Sequence, residues 1–269
     1  MRNRVYVYCH RPSSSANILK RKLRTLGIRV KRLYGVRPPV IKGGVCINWG
    51  CSDVRFLNHF GGILNNADKV AVAISKIKSL TKLQEAKIPT VRITEDREEA
   101  KKWLRKNYRV LERIDGLSNG RGIRLFHPDN VNNNLDFYAR VFPKTHEFRV
   151  HVVDGLAIDM VEKKAKTGAD ENRVIRTHEN GWVYAHEGLS LHDQRDIDSL
   201  CALAVSTIKT LELDFGAVDI LCILDDKNPR RLQKSVVCEI NTSPGLENTR
   251  TINAYATNIA RMIQQGARV

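Results

Sequence analysis

The chain opens on a short apolar run, Val5–Cys9, of a length that suits a buried strand rather than a helix. A serine-rich turn, Ser13–Ser15, then precedes apolar-periodic residues over Ala16–Leu26, and Gly27 stands where a helix C-terminal glycine belongs. The pattern predicts a capped helix followed by a strand over Arg29–Tyr34. Pro38, Pro39, Gly43 and Gly44 mark a loop, and Val45–Trp49 predicts another buried strand. Helical spacing returns over Val70–Ala86, where Ile74, Ile77, Leu80 and Leu83 recur every third residue. Ile88–Pro89 ends that helix, because proline disfavours helical geometry in the residue before it. Strands follow over Val91–Ile93, Arg109–Ile114, Gly122–Phe126, Asp136–Phe142 and Glu147–Val153, with a helix over Arg97–Lys106 among them. An amphipathic helix over Ile197–Leu211, strands over Ala217–Leu224 and Ser235–Ile240, and a closing helix over Asn258–Gln265 complete the pattern. Strands and helices so ordered predict an α/β (α+β) chain in three lobes, residues 1–66, 67–141 and 142–269.

The last pair of strands carries the sharpest chemical signal. They flank the turn Asp225–Pro229, so they are expected to pair as an antiparallel hairpin. Asp219 and Glu239 each lie ten residues from Pro229, which sets them side by side, and Asn241 shares the face of Glu239. Cys238 is expected to point the opposite way. Adjacent carboxylates repel unless a cation or a proton sits between them. Two carboxylates and an amide oxygen, without His or Cys, suit Mg²⁺. The plainer alternative, carboxylates paired with basic neighbours on a solvated hairpin, fits poorly with the apolar runs AVDIL and VVCEI around them.

A glycine loop, Gly116, Gly120 and Gly122 around Ser118, joins two predicted strands. Glycines let backbone N–H groups approach phosphate oxygens. The loop lacks the GxxxxGK[ST] pattern of P-loop enzymes, and it opens no helix, which argues against a dinucleotide-binding fold. An ordinary hairpin turn explains it equally well.

Composition narrows the class. With 42% hydrophobic and 28% charged residues the chain can bury a core and is not a disordered tail. No apolar run reaches the about 18 residues of a membrane helix, no secretory leader is evident, and the six cysteines form no CxxC pair, so a reducing cytoplasm is the expected location. The net charge of +16 is concentrated: residues 1–60 hold 13 Lys and Arg against the single acid Asp53. Such a field gathers polyanions. The expected partner of this lobe is an acidic peptide, a nucleic acid or a nucleotide, with a solvated basic surface as the plainer reading.

Five blocks in order, AISKIKSLTKLQEAKIPT (73–90), VLERIDGLSNGRGIRLF (110–126), EFRVHVVDG (147–155), DFGAVDIL (214–221) and CEINTSPGLE (238–247), resemble the ATP-grasp superfamily of carboxylate–amine ligases, most closely its RimK-type and phage-encoded members. The resemblance runs from about residue 65 to the C-terminus, while the first 65 residues match only the family's habit of a variable N-terminal lobe. It implies a three-lobed fold with ATP bound between the middle and C-terminal lobes. It also implies an amide-forming reaction through an acyl phosphate, which leaves ADP and phosphate. By position, Lys76 and Arg113 would hold phosphate, Arg113 standing where the family usually has lysine. Ser118, Gly120 and Gly122 would form the phosphate loop, and Val141 and Phe142 the adenine hinge. Arg140 occupies the place of an acid that often binds ribose. Asp219, Glu239 and Asn241 match the ligands of two Mg²⁺ ions, with Mn²⁺ as a substitute, and Arg149 and Arg176 match arginines at the transferred phosphate and the acceptor end. An amino acid or other amine would be the co-substrate, and a homo-oligomer is compatible. A non-catalytic binding module or a kinase on the same fold are the alternatives.

Overall fold

The computed structural model describes residues 4–35, 44–53, 55, 57, 60–117, 120–129, 135–168, 174–176, 178–227 and 230–266. Ser118, the loop residues Pro38, Pro39 and Gly43, and the turn residues Asn228 and Pro229 lie outside them.

Four short strands, β1 (Val5–Cys9), β2 (Val30–Tyr34), β3 (Val45–Asn48) and β4 (Gly62–Leu64), form a parallel sheet in the order β2-β1-β3-β4. Helix α1 (Ser14–Thr25) covers one face with Ala16, Leu19 and Leu23, and the Ser13 hydroxyl caps it by accepting from the Ala16 N–H. Gly27 then takes φ +80°, as the helix end requires.

The single helix expected over Val70–Ala86 is two, α2 (Ala67–Ile74) and α3 (Lys76–Glu85). Ser75 breaks it: its backbone is extended, and its hydroxyl accepts from the Lys78 N–H as the cap of α3. The three-residue apolar spacing runs through the break, which is why the pattern reads as continuous. The break sets Lys76 at a helix N-terminus.

The second sheet is antiparallel, with β5 (Ile93–Thr94), β6 (Val110–Arg113), β7 (Ile123–Leu125) and β8 (Phe137–Arg140) in the order β5-β8-β6-β7. Helix α4 (Arg97–Arg105) packs Ala100 and Trp103 against Phe126 and Tyr138. The third sheet joins β9 (His146–Val153), β10 (Leu156–Ala165), β11 (Trp182–Ala185), β12 (Phe215–Leu224) and β13 (Leu232–Asn241) in the order β11-β10-β9-β12-β13. Helix α5 (Gln194–Thr210) buries Leu200, Ala204 and Ile208 among Val150, Val152, Val218 and Ile220.

Helix α6 (Thr249–Gln264) begins nine residues before the predicted start, capped by Asn248. Its first turns are Thr-, Asn- and Arg-rich, with weak intrinsic preference, and form because Tyr255 and Ile259 pack between the first and third sheets against Trp49 and Phe215. Strands β10 and β11 were not predicted: β10 buries Asp159 and Glu162 within its run, which breaks the apolar alternation. None of the six cysteines forms a disulfide. Among the described residues no helix is long and apolar enough to cross a membrane.

Candidate functional site

A cavity of about 1030 Å³ lies between the second and third sheets. Its floor is set by strand register. On β9, alternation sends Glu147 and Arg149 to one face, and β12 pairs antiparallel with it so that Asp219 lies opposite Arg149 and Leu221 opposite Glu147. The β12–β13 hairpin places Asp219 opposite Glu239 and Ala217 opposite Asn241. The expected juxtaposition of Asp219, Glu239 and Asn241 is present, and all three line the cavity.

The hairpin is not regular. After the Asp219–Glu239 pair, Ile220 pairs with Val237, which leaves Cys238 as the extra residue of a bulge. The bulge turns Cys238 into the cavity beside Glu239, against the expectation that it faces away. Burial raises the pKa of its thiol, which favours the neutral form.

The carboxylates are engaged by cations. Arg149 forks onto Asp219, with Nε 2.6 Å from Oδ1 and an η-nitrogen 2.8 Å from Oδ2, while its guanidinium lies 4.2 Å from the centre of the Tyr184 ring. Burial alone would raise the pKa of Asp219, but the Arg149 charge and its hydrogen bonds outweigh it and lower the pKa. The reciprocal holds for Arg149: burial opposes its charge, and Asp219 more than restores it. Asn241 donates from Nδ2 to Asp219 Oδ2 at 3.3 Å. The buried Lys76 donates from Nζ to Glu239 at 3.2 Å and to the Leu117 carbonyl at 2.9 Å. Asp115 in turn accepts from the Lys76 backbone N–H at 2.7 Å and from the Ser75 hydroxyl at 2.6 Å, which ties the glycine-loop segment to the N-terminus of α3.

The other expected residues divide. Arg113, at the end of β6, is buried against the Phe137 ring at 5.6 Å and lines the cavity, as do Gly120, Val141 and Phe142. Phe142 joins Leu80, Val91, Leu221 and Val236 in an apolar wall. Gly122 does not line the cavity: at φ +67° it closes the loop through its carbonyl to the Ile114 N–H, and a Cβ there would meet Leu117 Cδ1 at 2.8 Å. Arg176 lines the far wall, stacked 4.3 Å from the Trp182 ring centre and donating to the Thr145 carbonyl at 2.9 Å. Arg140 also lines the cavity, its guanidinium 3.9 Å over the Tyr108 ring.

Sequence reasoning missed Lys144, Glu147, Lys163 and Tyr184. Glu147 is buried between Lys144 Nζ at 2.6 Å and Lys163 Nζ at 2.5 Å. Burial pushes its pKa up, and the two lysines together bring it below the ordinary value. Lys163 also donates to the Arg176 carbonyl at 3.0 Å. Glu147 could have been found, since it lies two residues before Arg149 on a predicted strand. Lys163 and Tyr184 sit on β10 and β11, which the pattern does not reveal.

Among the described residues no cluster of three or more His, Cys, Asp or Glu side chains forms a metal cage. Two carboxylates and an amide are a sparse hard-oxygen set, of the kind that holds Mg²⁺ when phosphate oxygens and water complete the shell. Each carboxylate holds a cationic side chain in this structure, Lys76 on Glu239 and Arg149 on Asp219, so a cation bound there would share or displace these partners. Beside it, the loop after β3 abuts the loop after β13: a Cβ on Gly50 would lie 2.7 Å from Ser243 Oγ. The first sheet is thus seated at the end of the cavity that holds the carboxylates.

No protein-family model matches the chain, and no curated protein matches it by sequence. Solved structures match along its whole length. The ATP-grasp ligase PsnB complexed with minimal precursor shares 12% identity at a TM-score of 0.69, over 98% of this chain and 100% of that one. A RimK domain protein ATP-grasp from Sphaerobacter thermophilus shares 16% at 0.63, over 97% and 98%. D-alanine–D-alanine ligase from Bacillus anthracis complexed with ATP shares 11% at 0.64, over 98% and 95%.

Proposed function

We propose that this chain, which has the ATP-grasp fold, is an ATP-dependent ligase that joins a carboxylate to an amine through an acyl phosphate. The observation that carries the proposal is the pairing of Asp219 with Glu239, with Asn241 alongside, on the wall of a cavity that also holds Lys76, Arg113 and Arg149. Residues 67–141 and 142–269 act as the two jaws on the nucleotide, and residues 1–66 present the acceptor substrate. PsnB has been seen with Mg and ADP, and with a precursor peptide and AMPPNP, which supports ATP, Mg²⁺ and a peptide-like carboxylate as the classes to test.

The residues take the following roles. The base lies against the apolar wall of Phe142, Leu221 and Val91, with the backbone at Val141 alongside. Glu147, rather than the Arg140 position, accepts from the ribose hydroxyls, since it is a carboxylate on the cavity floor next to Leu221. Lys76, Arg113 and the loop around Ser118 and Gly120 hold the phosphates, while Gly122 shapes that loop. Asp219, Glu239 and Asn241 hold two Mg²⁺ ions, with Mn²⁺ as a substitute, and the metal neutralises phosphate charge when bound.

A substrate carboxylate oxygen attacks the γ-phosphorus and the bond to the β–γ bridging oxygen breaks, which releases ADP and leaves an acyl phosphate. The amine then attacks the acyl carbon, loses a proton, and phosphate departs. Arg149 and Arg176 donate to oxygens on which negative charge grows in both steps. Water would hydrolyse the intermediate, so the second sheet with its glycine loop serves as the lid. The carboxylate belongs to an anionic peptide, protein or nucleotide-type substrate, and the amine is an amino acid or a similar group.

One feature favours a second reading. Arg149 locked on Asp219 neutralises a metal ligand, which suits a binding module without turnover. A single assay separates the two: ATP turnover with Mg²⁺ and pooled amino acids, with the nucleotide product identified. ADP and phosphate that depend on the added amine and vanish in Asp219→Asn are the expected result, whereas AMP and pyrophosphate would overturn the acyl-phosphate route.

A further inference from the structure

The first sheet has a second concavity at the edge opposite its contact with the cavity. Gly50, past the C-terminal end of β3, meets Ser243, whereas Arg4 and Val5 at the N-terminal end of β1, with Arg29 to Lys31 at the start of β2, line a groove of about 730 Å³. The corner between α1 and β2 completes it. Four cations line it, Arg4, Arg24, Arg29 and Lys31, and among the described residues no carboxylate, amide or aliphatic hydroxyl does.

These charges are uncompensated within the lobe. The only acid in residues 1–60 is Asp53, and Asp53 is bound by Arg55 at 2.6 Å. Arg24 is fixed across the corner by an Nε hydrogen bond to the Val30 carbonyl at 3.0 Å, which orients its guanidinium in advance. Lys20 and Arg21 continue the basic character along α1.

We infer that this groove binds the phosphate backbone of a nucleic acid. A lining whose only charged groups are cations fits a partner whose negative charge recurs along its backbone whatever its sequence. An acidic peptide carries charge only where its side chains supply it. Three of the four cations are arginines, whose planar fork engages two phosphate oxygens at once. The groove is built independently of the nucleotide cavity, so the inference goes beyond the ligase reading and stands or falls apart from it.

The test is fluorescence anisotropy of the full chain with a labelled 15-nucleotide single-stranded DNA across a salt series. Four phosphate contacts give about 50-fold weaker binding between roughly 50 and 200 mM salt, at about 0.7 released counterions per contact. Arg29→Ala/Lys31→Ala removes two exposed contacts, so the same salt step then weakens binding only about 7-fold. Lys102→Ala/Lys106→Ala on the second lobe leaves the slope as in the parent. Asp219→Asn/Arg149→Met, which removes the buried ion pair as a unit, abolishes turnover on the ligase reading and leaves this binding intact, so failure of one reading is not failure of the other. The inference is overturned by absent binding at 50 mM salt, by an equal slope change in the Lys102/Lys106 control, or by an oligoglutamate that binds more tightly than the oligonucleotide.

Discussion

The cavity wall and the first sheet treat charge in opposite ways. On the wall the buried carboxylates are each held by a cation, Asp219 by Arg149 and Glu147 by Lys144 and Lys163, and the buried Lys76 is held by Glu239, while Arg113 lies against the face of the Phe137 ring. On the first sheet Arg4, Arg29 and Lys31 form no ion pair with any described residue. The difference follows from solvent. A buried charge without a partner costs several kcal/mol, so the fold has to supply one, whereas water serves an exposed charge until a mobile partner arrives. The wall is therefore committed chemistry and the first sheet is open recognition, and each should fail in its own way.

The largest effect belongs to the wall. Asp219→Asn removes the group that holds Arg149 and, on the proposed reading, a metal ligand at once. Turnover should fall by about 10²–10³-fold or more, and stability by about 3–5 kcal/mol because the Arg149 charge is left buried and unpaired. Denaturant unfolding reads the second effect, and Asp219→Asn/Arg149→Met should recover much of the stability and none of the activity. The sign with pH is definite. The folded pKa of Asp219 is lowered, so its contribution is present above the unfolded carboxylate range and is lost as pH falls through the folded value. Wild type should thus lose stability into acid more steeply than the double variant. Equal acid sensitivity would break the contrast between committed and open charge.

Next comes Glu147→Gln. It keeps the shape but leaves Lys144 and Lys163 without their shared carboxylate. Hydrogen bonds to charged groups contribute about 1.5–3 kcal/mol, so KM for ATP should rise roughly 10- to 100-fold with a smaller change in kcat. An unchanged KM would remove Glu147 from the ribose site. Gly122→Ala follows in size. Its φ of +67° costs an alanine about 1–2 kcal/mol, and the Leu117 contact adds to this. A thermal midpoint lower by several degrees checks it.

The same contrast explains what the sequence made legible. The hairpin was readable because Asp219 and Glu239 sit symmetrically about Pro229, and strand pairing turns symmetry into contact. What escaped was the single-residue bulge at Cys238, since a bulge slips register without leaving a compositional mark. Strand β10 escaped because its buried Asp159 and Glu162 face Arg250 and Lys164, and a strand that buries ion pairs breaks the apolar alternation by which strands are found. The break at Ser75 was hidden because apolar spacing says where a face lies, not whether the backbone is continuous. On the first sheet the excess charge was visible at once, yet only the structure gathers Arg4, Arg24, Arg29 and Lys31 from two strands and a helix into one groove.

The smallest effect is the most discriminating. Arg29→Ala/Lys31→Ala touches exposed side chains with no ion-pair partner, so folding stability should move by no more than about 0.5 kcal/mol. The salt response should move instead. Uncompensated like charges repel, and screening over a Debye length of about 10 Å at 0.1 M relieves that repulsion. Wild type should therefore gain thermal stability between 50 and 500 mM NaCl, and the double variant should gain less. The paired charges of the wall, shielded from solvent ions, should contribute little to that difference. If the gain is equal in the two proteins, the charges of the first sheet are already balanced, and the distinction between a wall that satisfies its own ions and a surface that awaits a partner collapses.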